Sequence, residues 1–277
     1  MLLNLDNTRL RTLIPNIIRE VDGETPLYEK LLPWLETARI WLETEVLGSY
    51  NPTDYIYKLS EKIIVYKAFA LAVPTLDLTL SPSGFAVINT DGGAPASKER
   101  VERLIASLET FVDANIEVLL FSIHKLPEWA ESPIGQWFRA TFIPEFAPVS
   151  RFRRDKNLLT TYKEMRDIAI RFEQEVAESY LGFKFLEHLR SFYPKLENPG
   201  IRSIYFDIRN AELRYISFHL RDQKAKCPLE HEIWHLARPI IAQLNYYPEL
   251  KARWEDEMGE TLKVEQFKNT VKGGYFF

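Results

Sequence analysis

Apolar residues recur every three or four positions through most of this chain, the period of a helix that buries one side. In "LYEKLLPWLETARIWLETEVLG" the stripe is Leu31, Leu32, Leu35, Ala38, Trp41, Leu42 and Val46. Thr25 and Pro26 ahead of it suit an N-cap and a first helical position, and Gly48 suits the stop. Pro33 lies inside the pattern, so this helix either kinks there or starts later. A second helix is predicted over 53–73, where Ile63, Ile64, Ala68, Leu71 and Ala72 share one side and Pro74 closes the pattern. A third reading covers 98–126, as one long helix or two with a break, with Val101, Leu104, Ile105, Leu108, Phe111 and Val112 on one face and Ser97 as its N-cap. Further helices are predicted over 158–190, near 204–222 and over 227–244. Elements of this kind fold by packing helix on helix.

Two stretches break the period. "TLDLTL" (75–80) alternates apolar and polar residues as a half-buried strand does, "SPSG" reads as a turn, and "FAVIN" (85–89) as a second strand. The ending "VKGGYFF" reads as a short terminal strand. The expected fold is therefore mainly α: helical bundles with a small β-hairpin and a short terminal strand. Residues 127–157 carry four prolines and little periodicity, which places a boundary there. The expected organisation is an N-terminal arm (1–24), a first helical half with the hairpin (25–145) and a second helical half (146–277). A slight internal similarity links "WLETEVLGSY" with "FEQEVAESYLGF", as a duplicated helical unit would.

Composition narrows the function classes. Of 277 residues 46% are hydrophobic and 27% charged, an ordinary globular mixture. The net charge of −4 argues against a broad nucleic-acid footprint. A single cysteine, Cys227, excludes an internal disulfide and points to a reducing compartment. The opening "MLLNLDNTRLRTLIPNII" lacks a signal-peptide layout, because Asp6, Arg9 and Arg11 interrupt its apolar residues. Runs such as "AFALAVP" (68–74) are far shorter than the ~20 residues a membrane helix needs.

One motif names a chemistry. Residues 231–235 read "HEIWH", the H-E-x-x-H pattern in which two histidines one turn apart hold Zn²⁺ and the glutamate acts as general base. The buried stripe Leu229, Ile233, Leu236, Ala237, Ile240 and Leu244 leaves His231 and His235 on the opposite side, and Glu255 stands where one zinc-peptidase class has its third ligand. Against this, Pro239 is expected to bend or end the helix at His235. The H-x-x-G-x-x-H extension fails at Arg238 and Ile241, and Glu255 sits in the acid-rich "ARWEDEMGE". The plainer reading is a solvent-facing histidine pair on an amphipathic helix, holding no metal in the functional state.

Cys227 one turn before His231 reads as an N-cap before Pro228 rather than a nucleophile. "GGAP" (92–95) lacks the residues of a phosphate loop, and "RFRRDK" (151–156) reads as a solvated linker with nucleic-acid contact a minor alternative. The sequence thus assigns no catalytic, cofactor-binding or metal-binding residue, and the chain reads as a non-enzyme. Its 13% aromatic content is on the high side; most of these residues sit at core spacing, and a surplus would suit protein–protein surfaces.

The stretch "KAFALAVPTLDLTLSPSGFAVINTDGGAPASKERVERLIASLE" (67–109) resembles a family of uncharacterised phage and prophage proteins of Bacteroidetes, through an A-x-P-x-L-D-L-x-L-T/S-P-x-G-F-x-V run followed by A-P-A-S-K-x-R-V. "ETEVLGSY" and "GGYFF" are also similar to that family. The resemblance implies a virion structural protein, most simply a head–tail connector (neck, adaptor or head-completion) subunit, and it supplies no catalytic residue. The implied partners are other copies of the chain in a ring, the portal protein and tail or neck proteins, with DNA met only in passing through the ring lumen and no membrane. The implied location is the host cytoplasm during assembly and then the virion neck. The alternative is the H-E-x-x-H zinc-dependent metallopeptidase. The hairpin loop "SPSGFAVINTDGGAPAS" is a candidate for contact between subunits.

Overall fold

The computed structural model describes residues 5–14, 25–76, 78–81, 84–87, 97–152, 157–221 and 229–264. The chain divides into two compact units: unit 1 comprises 1–138 and 145–162, and unit 2 comprises 139–144 and 163–277.

Unit 1 is a helical bundle built around one central helix. In α3 (Asp54–Ala72) the successive residues Ile63, Ile64, Val65 and Tyr66 are all buried. Successive residues point about 100° apart, so the helix is covered on every side at 63–66, while its first turn, with Tyr55 exposed, is not. α2 (Leu27–Leu42) and α4 (Lys98–Ile123) supply most of the cover, and α1 (Asn7–Leu13) packs on α2 and α3. Two ion pairs cross these contacts. Arg9 grips the buried Glu61 through Nε and Nη2 (3.1 and 2.7 Å), and Lys67 reaches Glu109 at 2.9 Å. α5 (Pro127–Ala130) and α6 (Pro133–Phe138) follow. Trp129, Phe138, Phe146 and Tyr162 are fully buried, with ring centroids 5.5 Å apart for Phe138–Tyr162 and 4.9 Å for Phe146–Tyr162. The proline-rich stretch read as a boundary therefore supplies three of these core aromatics, Trp129, Phe138 and Phe146.

The unit boundary falls inside α7 (Leu158–Val176), between Tyr162 and Lys163. In unit 2, α8 (Phe183–Ser191), α9 (Pro199–Arg221), α10 (Leu229–Leu244) and α11 (Pro248–Val264) follow. Phe172 and Tyr215 (5.3 Å) and Phe142 and Tyr205 (4.9 Å) are central ring contacts. α9 starts at Pro199, earlier than its apolar pattern suggests. Proline loses nothing at a first helical position, and Asn198 Oδ1 accepts from Gly200 and Ile201 N–H at 2.8 and 3.2 Å. The helices also run through Pro33 and Pro239. Both prolines are exposed, as are Glu29 and His235 four residues before them, so the ring of each proline meets its helix on the solvent side.

Both units turn the chain the same way. After α2 the helix widens into one π-turn, Glu43–Leu47, and Gly48 closes it at φ 61°, its N–H donating to the Glu43 carbonyl at 2.7 Å. After α7 the π-turn Ala177–Leu181 ends at Gly182, φ 84°, whose N–H donates to the Ala177 carbonyl at 2.9 Å. These are the two weakly similar stretches noted in the sequence. The predicted helix 158–190 is accordingly two helices, divided at a glycine whose left-handed backbone no helix continues through.

The expected β component requires correction. Among the described residues the architecture is helical, with no sheet as a layer of the fold. Among the described residues the strand pairing amounts to a local four-residue antiparallel ladder, β1 (Leu78–Ser81) with β2 (Gly84–Val87). Alternation over six residues is a local signal, and an isolated two-stranded ribbon is too marginal to form a layer. The predicted terminal strand and the Gly92–Gly93 loop lie outside the described residues.

Candidate functional site

The histidine motif lies on α10. Ile233, Leu236, Ala237, Ile240 and Leu244 are buried, and His235 is exposed. The side chains of His231 and Glu232, and the whole of Cys227, lie outside the described residues. Trp234, also exposed, sets its ring 5.2 Å from that of Tyr180. Glu255 is exposed and pairs with Lys251 at 3.6 Å, one turn away on α11. Among the described residues no three His, Cys, Asp or Glu side chains converge on a metal position. In "RFRRDK", Arg151 is exposed and lies over the Phe152 ring; residues 153–156 are outside the described set.

A second cluster escaped the sequence reading. In unit 2 the Phe142 N–H lies 3.2 Å from Glu173 Oε1 and 3.2 Å from Glu212 Oε1, so two buried carboxyls meet on one donor. Arg190 Nη1 bonds Glu173 Oε2. Burial pushes the Glu212 carboxyl up to about 8, against the opposing pull of the Phe142 N–H and the Arg190 and Arg209 guanidiniums. Burial also lowers Arg190 from its ordinary value. Burial thus favours the neutral form of Glu212 beside Glu173. Such a pair can exchange a proton with a bound molecule. Here, however, Glu173 is committed to Arg190 and Phe142, and the adjoining cavity, bordered by Ala140, Ile170, Phe183 and Leu186, holds about 260 Å³. That is below the usual ~300–1,000 Å³ of ligand sites. The arrangement serves to anchor residues 139–144. A signal for it exists: Glu173 and Glu212 occupy positions that belong to the apolar stripes Ala169–Phe172–Val176 and Ile208–Tyr215–Ile216.

A third feature is a surface. Between Arg103 and Lys125 the exposed positions of α4 are Ala106, Ser107, Thr110, Phe111, Ala114, Val118 and Phe121, none of them charged. Phe111, Val118 and Phe121 are 41%, 43% and 55% exposed. The three acids of this stretch are used within the unit. Glu109 pairs with Lys67, Asp113 is buried, and Glu117 accepts from the Phe146 and Ala147 N–H groups at 2.9 and 3.3 Å. An outer helix face normally carries charge, and a charge-depleted face with aromatics is the composition of an interface core.

Residues 14–139, under half of the chain, match a family of unknown function (DUF6712). No curated protein and no solved structure matches the chain. The matched stretch includes α2, α3 and α4, and with them the uncharged face.

Proposed function

We propose that this protein is a structural subunit of a bacteriophage or prophage particle, a head–tail connector that assembles as a ring at the portal and performs no chemistry of its own. The observation that carries the reading is the uncharged outer face of α4, which begins within the stretch 67–109 that resembles phage structural proteins. A monomer has no use for such a face, whereas a subunit covers it. The partners are further copies of the chain, the portal protein and neighbouring neck or tail proteins, and DNA passes through the lumen. Assembly takes place in the host cytoplasm and the finished location is the virion neck. No helix among the described residues is long and apolar enough to cross a membrane.

The test is electron microscopy and native mass measurement of the full chain mixed with a portal protein. The expected result is a ring docked on the portal. A chain that never docks overturns the assignment.

A further inference from the structure

The connector role proposed above, on which this inference rests, can be carried to the surface that meets DNA. We infer that the outer face of α9 in unit 2 binds the phosphate backbone of duplex DNA, which turns this face toward the lumen of the ring. Between Gly200 and Ser217 the exposed positions of α9 are Arg202, Phe206, Asn210 and Arg214, one per turn and none of them acidic. Arg209 is half-buried beside them.

The neighbours of this face leave its positive charge available. Of the two acids in the same stretch, Glu212 is fully buried, and Asp207 is half-buried with Gln243 as its hydrogen-bond partner. Neither Arg202 nor Arg214 enters an ion pair among the described residues. Arg209 lies over the Phe206 ring, 5.8 Å from its centroid, and Tyr205 meets the same ring edge-on at 5.8 Å. A guanidinium laid on an aromatic ring keeps its fork of donors pre-set. The outer face of α7 in the same unit is built differently. It exposes Thr160, Glu164, Asp167, Arg171 and Gln174, with acids outnumbering the base. The net charge of −4 argues against a broad footprint, but it is a sum over the whole chain and does not set the sign of one face.

Arginines with no exposed acid among them suit a polyanion, and a guanidinium meets a phosphate through two parallel N–H donors. Arg202 and Arg214 stand about 18 Å apart along the helix, with Arg209 between them. A DNA duplex carries one phosphate charge per ~1.7 Å of its axis, so a straight face of this length can meet three phosphates at once. Asn210 adds a neutral donor of the kind that also contacts the DNA backbone. Phe206 is the only apolar residue of the four exposed positions, too little for the core of a protein interface. A closed ring repeats the face in every copy, so contacts that are weak in one chain add along the same duplex.

The test is binding of the full chain to a mixed-sequence DNA duplex of about 30 base pairs, read by fluorescence anisotropy from about 50 to 200 mM salt. Three neutralised phosphates give a slope of about −2.7 in log affinity against log salt, a loss of about 40-fold over that range. Arg202→Ala and Arg214→Ala should each reduce the slope to about −1.8, a loss of about 12-fold, while Arg202→Lys keeps the wild-type slope. Arg171→Ala, an exposed arginine on α7, should change nothing. Absent or salt-independent binding overturns the inference, and so does an equal effect of Arg171→Ala. Tighter binding to single strands, lost in Phe206→Ala, makes the face a base-stacking platform and overturns the duplex assignment. The measurement uses no portal protein and so separates this inference from the ring. A chain that binds as expected but never docks on a portal keeps the DNA face and overturns the connector. A chain that docks without binding DNA keeps the connector and overturns the DNA face.

Discussion

At Gly48 in unit 1 and at Gly182 in unit 2, a helix widens into a π-turn and stops at a left-handed glycine, and in each case a distant tryptophan ties the turn down. Trp129 Nε1 donates to the Val46 carbonyl at 2.8 Å, and Trp254 Nε1 donates to the Tyr180 carbonyl at 2.9 Å. Both acceptors lie two residues before the glycine. A π-turn frees carbonyls that an α-helix would have bonded, and an indole N–H is a donor long enough to reach one from another element. The preceding helices agree as well. Leu31, Leu35, Ala38 and Leu42, and Met165, Ala169, Phe172 and Val176, are buried at the same distances before their glycines.

The units part company in how they place charge. Nine residues before Gly48 stands Arg39, which pairs with Glu36 and Glu43 near the surface at 2.5 and 2.7 Å. Nine residues before Gly182 stands Glu173, buried on Arg190 and Phe142. The same backbone position thus serves a solvent-facing ion network in one unit and a buried anchor in the other. The turn depends on geometry that tolerates little change, while the charge behind it depends on what the tertiary neighbours supply.

The likeness is broken most severely at the tryptophans. Trp129→Ala and Trp254→Ala are each expected to cost about 3–5 kcal/mol in urea unfolding. The Phe variants, which keep the ring and lose the donor, should cost about 1–3 kcal/mol. Equal costs for the two Phe variants would establish one shared device, and a neutral Trp254→Phe would remove it from unit 2.

The difference in charge placement is sharpened by the arginines. Arg190→Ala strands the buried Glu173 charge and should cost about 3–5 kcal/mol. Arg39→Ala removes pairs that reach the surface and are worth about 0–1 kcal/mol. Similar losses for both would erase the contrast.

Glu212 gives the contrast a pH signature. Its carboxyl is protonated in the fold up to about 8 and ionises from about 4.5 in the unfolded chain. Between those values the unfolded state binds fewer protons, so stability is greatest at the acid end, falls as pH rises and levels off above about 8. The fall is on the order of a few kcal/mol. Melting curves of Glu212→Gln should lack it, and an unchanged profile would show that Glu212 ionises freely in the fold.

Smaller effects are expected at the glycines. An alanine forced into the left-handed region costs about 1–2 kcal/mol. Gly48→Ala would press its Cβ on Ile134, 2.6 Å from Cγ2. Gly182→Ala should cost more, because its Cβ would displace the Glu257 carboxylate that accepts from the Lys184 and Phe185 N–H groups at 2.9 and 2.8 Å. The smallest effect belongs to His231→Ala, with no change in bound zinc by metal analysis and a stability change within about 0.5 kcal/mol. Zinc at one per chain, lost in the variant, would restore the peptidase reading.

Much of the helical pattern was legible because a buried stripe repeats locally. Ile233, Leu236, Ala237, Ile240 and Leu244 needed only the spacing along one helix. The central role of α3 was not legible. Its stripe suggested one buried side, whereas Tyr66 and Val65 are covered by a helix on each flank. Nor was the carboxyl pair, since Glu173 and Glu212 are far apart in sequence and look like ordinary polar interruptions until Phe142 and Arg190 are brought between them. The uncharged face of α4 was hidden for the converse reason. Glu109, Asp113 and Glu117 share one side of the helix, which by sequence reads as the solvent side, and only Lys67 and the Phe146 and Ala147 N–H groups reveal that Glu109 and Glu117 are used within the unit and that the outer side is bare.

Helix period, the stop at Gly48 and the absence of an internal disulfide depend on near neighbours and on composition, so the amino-acid order alone determined them, whereas the stop at Gly182 was read through as one helix. Which acids are buried, which tryptophan closes which turn and which face stays open depend on groups tens of residues apart. A hydrogen bond such as Trp129 to Val46 exists only once packing has brought its ends together, and so the tertiary structure decided these.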